Sequence, residues 1–260
     1  VSLLCTGSVV THERSTIDVS GGQVAFTPAA VQATMLVASD GRRLSIGDAP
    51  KDITYSAIEG RAPRAADGTL LQDRWGQAPQ WTASRARVEP GYVEGRAAGT
   101  VNVLGQRAVL DGRLIAGTVA GERQQTGKDS LAATATLELG RRSYGDVTSG
   151  PVFGSSLFAD AAAFGDFSVV SRATLLDEAF WANATSAALD APGRISAATL
   201  NDAGFGNIYI TSKGTLQQEA DADLALRAQS RLEWRTTGEG GITLNADTRG
   251  TGASVLAQTA

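Results

Sequence analysis

One histidine, His12, stands in Thr-His-Glu-Arg between two strand-like stretches. A hydrolytic triad needs a serine and an acid brought to such an imidazole, and a tetrahedral zinc site needs further nitrogen or thiolate ligands. With one histidine and one cysteine, Cys5, in the chain, both chemistries are close to excluded, and His12 reads as a solvated turn residue. Cys5 alone also excludes an intrachain disulfide. Gly121 to Asp129 looks briefly like a phosphate loop, but five residues separate Gly121 from Gly127-Lys128, and Asp129 stands where Ser or Thr is required. Gly204-Phe205-Gly206 opens a dinucleotide-type pattern, lacks its third glycine and leads into the strand-like Ile208-Tyr209-Ile210. Asp221 and Asp223 share a strand face near Glu219, a pairing that could bind Ca²⁺ or act on a glycan. The plainer reading is solvent-facing acids alternating with Ala and Leu. Trp75, Trp81 and Tyr92 cluster in one stretch; exposed on a rigid scaffold, they suit contact with a sugar or a protein surface, and otherwise they form a small local core.

The elements that must carry these residues are short. A doublet recurs, apolar–any–apolar followed by a Gly or Asn/Asp turn: Ile17/Val19, Val101/Val103, Leu137/Leu139, Ile208/Ile210, Leu224/Leu226, Leu232/Trp234 and Ile242/Leu244. Period-two alternation places both members on one face of a strand. Strands this short bury little alone and gain stability when successive turns of chain stack, as in a β-solenoid. Leu216, Ala220, Leu224, Ala228 and Leu232 also recur at i+4, the spacing of an amphipathic helix; the alternation Ala222, Leu224, Leu226, Ala228 favours strands.

The chain has 260 residues, 42% of them hydrophobic, so it can bury a sizeable core. It carries 30 Gly and only 7 Pro, which suits many tight turns better than hinged domains. A net charge of −4 without a basic, aromatic-interleaved patch disfavours nucleic acid. No apolar run is long enough to cross a bilayer as a helix. The expected organisation is β-helix coils over 1–40, an insertion over 41–98, coils over 99–139, an irregular segment over 140–204 with one short helix in the Ala/Leu-rich 173–189, and coils over 205–260. The insertion holds Pro50, Pro63, Pro79 and Pro90 as well as Trp75, Trp81, Tyr55 and Tyr92, and the doublet rhythm fades there. The apolar first residues and the strand-like Ser254 to Ala257 lead us to expect a piece of a longer protein whose ends abut more β-helix, its own or another copy's.

An ordered set of stretches resembles the filamentous-haemagglutinin-like exoproteins of Gram-negative bacteria, in a region downstream of their secretion domain. The stretches are Ser15 to Gly22, Leu36 to Ile46, Glu89 to Arg96, Leu110 to Arg123 and Asp202 to Ile208. The resemblance implies a right-handed parallel β-helix, all-β, to which the composition of 41–98 adds an insertion outside the coils. It also implies export by a two-partner secretion system, whose outer-membrane transporter engages a region absent from this chain, and a surface adhesin or fibre role. Partners would be a host-surface or neighbouring-cell glycan or protein, or another copy end to end. No catalytic residue, metal or cofactor is expected, and Trp75, Trp81 and Tyr92 are the candidate recognition residues. The alternatives are a β-helix carbohydrate-active enzyme, which requires several acids converging in one groove, and a self-assembling extracellular fibre subunit.

Overall fold

The computed structural model describes residues 1–32, 34–59, 86–124, 132–140, 164–173, 175–183, 189 and 192–259. In chain order the first strands are β1 (Ser2–Leu4), β2 (Ser8–Thr11), β3 (Thr16–Asp18), β4 (Gln23–Phe26), β5 (Ala29–Gln32), β6 (Met35–Ala38), β7 (Arg43–Ser45), β8 (Tyr55–Ile58), β9 (Ala86–Glu89) and β10 (Tyr92–Gly95). Next come β11 (Thr100–Leu104), β12 (Arg107–Leu110), β13 (Arg113–Ile115), β14 (Thr136–Leu139), β15 (Phe167–Val170), helix α1 (Glu178–Ala182), β16 (Gly193–Ser196) and helix α2 (Ala197–Ala203). The last strands are β17 (Asn207–Ser212), β18 (Leu216–Gln218), β19 (Leu224–Ala225), β20 (Arg231–Thr236), β21 (Ile242–Leu244), β22 (Thr248–Arg249) and β23 (Ser254–Thr259). The protein is all-β in character, and contacts divide it into two units, 1–24 with 94–260, and 25–93.

The larger unit is built on parallel pairing. One six-stranded sheet runs β1-β11-β14-β17-β20-β23, in chain order throughout. Its register stacks the doublets found in the sequence. Val101, Leu137, Ile208, Leu232 and Val255 fall in one column, and Leu3, Val103, Leu139, Ile210, Trp234 and Ala257 in the next. Val103, Leu139, Ile210 and Trp234 are fully buried; each such side chain contributes about 1.5–3 kcal/mol relative to exposure. Asn102, Glu138, Tyr209 and Glu233 alternate with them on the other face, as the pleat requires. The 215–234 stretch is therefore strand, not helix: β18, β19 and β20 all pair in parallel ladders.

The second six-stranded sheet runs β2-β12-β16-β15-β18-β21. It departs from chain order at one place, where β16 pairs with β12 although β15 precedes it. Segment 140–204, expected to be irregular, thus supplies two strands of this parallel sheet. Phe167 lies opposite Gly193, and a Cβ on Gly193 would sit 2.6 Å from the Phe167 ring, so the glycine makes room for the aromatic. Phe164 and Phe167 stack beside it with centroids 5.1 Å apart. The short helix expected in 173–189 is α1, capped by Asp177, whose Oδ1 accepts the Phe180 N–H at 2.7 Å.

Between the pairs β3–β13 and β19–β22, helix α2 takes the place of a strand. Ala116 N–H donates to the Ala203 carbonyl at 2.7 Å on one side. On the other, Asn201 Oδ1 accepts from Ala225 N–H at 2.8 Å and its Nδ2 donates to Asp223 O at 2.9 Å. Ser196 caps the helix start, and Gly204, at φ 83°, ends it in the left-handed region that an L side chain resists. The apolar faces of these elements meet in one cluster that runs from Val9 and Val101 to Leu232 and Trp234.

The unit 25–93 is antiparallel where it is described: β5 pairs with β9, and β6 with both β7 and β8. Residues 35–38, expected within the 1–40 coils, instead form β6, an antiparallel strand. Asp40-Gly41 turns the chain back on itself: Gly41 has φ 83°, Ala38 N–H donates to Arg42 O at 2.8 Å, and Asp40 Oδ1 accepts from Arg42 N–H at 3.0 Å. A hairpin with this turn chemistry is complete within a few residues and needs no partner from a stacked turn. β4 and β10 pair where the chain passes between the two units.

Candidate functional site

Two stacked turns carry the site. The β2–β3 turn is closed by Ser15, whose N–H and Oγ–H both donate to His12 O, at 2.8 and 2.7 Å. Arg14 N–H donates to His12 Nδ1 at 3.0 Å, which leaves Nε2 as the imidazole donor. The β12–β13 turn, Asp111-Gly112, lies against it: Gly112 N–H donates to Thr11 Oγ1 at 3.0 Å. A Cβ on Gly112 would fall 2.3 Å from Ser15 Oγ and 3.1 Å from His12 O, so a side chain there would displace the Ser15 hydroxyl from its bond to His12.

Asp111 is the buried acid of this arrangement. Its side chain is 3% exposed and its Oδ2 lies 3.7 Å from Arg194 Nη2, on the strand that pairs with β12. Burial raises its pKa above the usual carboxylate value; the Arg194 guanidinium pulls the other way, and Glu13 adds to the rise. Glu13 itself lies 3.9 Å from the exposed Arg14 guanidinium.

Helix α1 supplies the aromatic wall. The Trp181 ring packs on His12 with centroids 4.7 Å apart and planes at 55°, and meets Phe180 edge-on at 5.4 Å. A cavity of about 240 Å³ opens here, with His12, Glu13, Asp111, Glu178, Leu175 and Trp181 in its lining. A second cavity of about 410 Å³ shares Glu13 and Asp111 and continues to Arg113, Thr199 and Asp202 on α2. The cleft thus combines carboxylate acceptors, an imidazole and guanidinium donors with an apolar wall, the equipment for holding a polar ligand that has an apolar face.

The residues singled out from the sequence lie elsewhere. Trp75 and Trp81 lie outside the described residues. Tyr92 is half-buried and stacks on Phe26 at 4.7 Å with planes at 19°. Asp223 accepts Asp247 N–H at 3.0 Å and so ties adjacent strands, while Asp221 is exposed on a turn at φ 62°. Among the described residues no three His, Cys, Asp or Glu side chains are grouped to hold a metal ion. Gly121 N–H donates to Gln124 Oε1 at 2.8 Å, a turn contact; residues 125–129 of the apparent phosphate loop lie outside the described residues. Gly204 and Gly206 lead into strand β17, not a helix.

Glu13, Asp111, Glu178 and Trp181 were not found from sequence as a group. The one local signal was Asp111-Gly112 after an apolar strand, which marks a turn but not what the turn faces. No protein-family model, no curated protein and no solved structure matches the chain.

Proposed function

We propose that the two six-stranded sheets are walls of a right-handed parallel β-helix, and that the chain is a structural, adhesive segment of a large secreted bacterial surface exoprotein of the filamentous-haemagglutinin type. The observation that carries this reading is the unbroken parallel ladder of β1, β11, β14, β17, β20 and β23, each strand donated by a later stretch of chain. Parallel strands joined by crossovers are right-handed in nearly all proteins, which supplies the hand. Backbone pairing along such a stack gives stiffness and length, and surface features along it give recognition. The ordered resemblance of Ser15 to Gly22, Leu110 to Arg123 and Asp202 to Ile208 supports the family. Recognition without turnover is the role, with Trp75, Trp81 and Tyr92 among the contact residues and a cell-surface glycan or protein as partner.

A second reading, a β-helix carbohydrate-active enzyme, is favoured by one observation: Glu13, Asp111 and Glu178 line one cleft. One comparison separates the two. Beads coated with the purified chain should adhere saturably to bacterial or epithelial cells, while a polysaccharide panel yields neither reducing ends nor unsaturated uronates. Turnover that disappears in Asp111→Asn would replace the adhesive reading by the enzymatic one.

A further inference from the structure

We propose that the cleft between the 12–15 turn, the 111–112 turn and helix α1 binds a neutral oligosaccharide. This deepens the recognition role proposed above and places a ligand site in the parallel unit. Four properties of the cleft select this class of ligand. Its wall is apolar on one side: Trp181 is half-buried, and Leu175, 53% exposed, stands beside it. The C–H face of a pyranose packs on such a surface. Glu13 and Asp111 on the turns and Glu178 on α1 itself also line it; carboxylates accept hydrogen bonds from hydroxyl groups, and these charge-assisted bonds are the strong ones.

The charges are close to balance. Glu13, Asp111, Glu178 and Asp202 line the two cavities with Arg14 and Arg113, and Arg194 stands behind Asp111, so a strongly anionic ligand meets four acidic residues and a strongly cationic one meets guanidinium groups. The absence of a metal-holding group among the described residues argues against a bare cation. Asp111, though 3% exposed, lines both cavities. Because Glu13 and Asp111 are shared, the cavities of about 240 and 410 Å³ form neighbouring subsites, one walled by α1 and one by α2. More than one sugar ring can then be engaged, with the aromatic end fixing one of them.

The test uses the 260-residue chain with cellobiose, lactose and chitobiose as probes. Saturation-transfer NMR detects binding, and titration calorimetry measures affinity. At least one of the three should bind, and Trp181→Ala and Glu178→Gln should each weaken it about tenfold, a loss of about 1.4 kcal/mol. Glu178 is exposed on α1, so Glu178→Gln keeps the test valid should Trp181→Ala fail to fold by circular dichroism. The proposal is overturned if none of the three binds at millimolar concentration, if binding is unchanged in Glu178→Gln, or if a heparin-derived disaccharide or Ca²⁺ alone binds in their place. Beads that adhere to cells while the cleft takes no sugar would remove this site and leave the adhesive reading standing.

Discussion

At the scale of single residues, Asp111 separates the two forces acting on a buried acid. Burial favours its neutral form, the Arg194 guanidinium favours its charged form, and burial wins. Unfolded, the group titrates near 3.8; folded, it titrates higher. Between these values the native state binds more protons than the unfolded state, so stability falls as pH rises through that window and stays lower above it. Asp111→Asn removes this contribution. Urea unfolding from about pH 3 to about pH 7 should show the variant gaining on the wild type as pH rises through the window, with a constant difference above it. A variant that falls behind as pH rises would mean that the Arg194 pair outweighs desolvation. None of this was legible in the sequence. Asp111 stands there as one acid in an Asp-Gly turn, and Arg194, its charge partner, is brought near only by the pairing of β12 with β16. The same holds for Trp181, whose ring gains its meaning from His12.

At the scale of elements, the doublets were legible because each strand sends alternate residues into one core and does so with two apolar side chains at a time. Leu137/Leu139 and Ile208/Ile210 carry that signal with no help from distant residues. Two features stayed hidden. The Met35–Ala38 strand has the same apolar character as a stacked strand, and only the Asp40-Gly41 turn tells that it closes a hairpin. Helix α2 replaces a strand between β13 and β19, and its sequence has no special pattern; what suits it to the place is Asn201, whose amide pairs with the backbone at Asp223 and Ala225 as a strand would. Asn201→Ala should cost about 1 kcal/mol in urea unfolding: two hydrogen bonds are lost, partly offset by the better helix propensity of Ala. Amide exchange at Ala225 should quicken in step. A variant as stable as the parent, with unchanged exchange at Ala225, would show that α2 does not serve as a substitute strand.

At the scale of the whole molecule, the claim on which the rest depends is that distant stretches of chain stack in parallel and in one register. Ser2, Asn102, Glu138, Tyr209, Glu233 and Leu256 then form a single column on one face of the first sheet. The order inversion of β15 and β16 in the second sheet leaves this column untouched. Spin labels placed in pairs along it give the most direct measurement. Glu138 with Leu256 spans three strand spacings, Asn102 with Leu256 four, and Ser2 with Leu256 five. At ~4.8 Å per spacing, the backbone separations are ~14, ~19 and ~24 Å. Pulsed electron–electron distance measurements, with a continuous-wave reading for the shortest pair, should return three values rising by one strand spacing each time. Values that do not rise in this order, or a Ser2–Leu256 distance far beyond ~24 Å, would contradict the parallel stack.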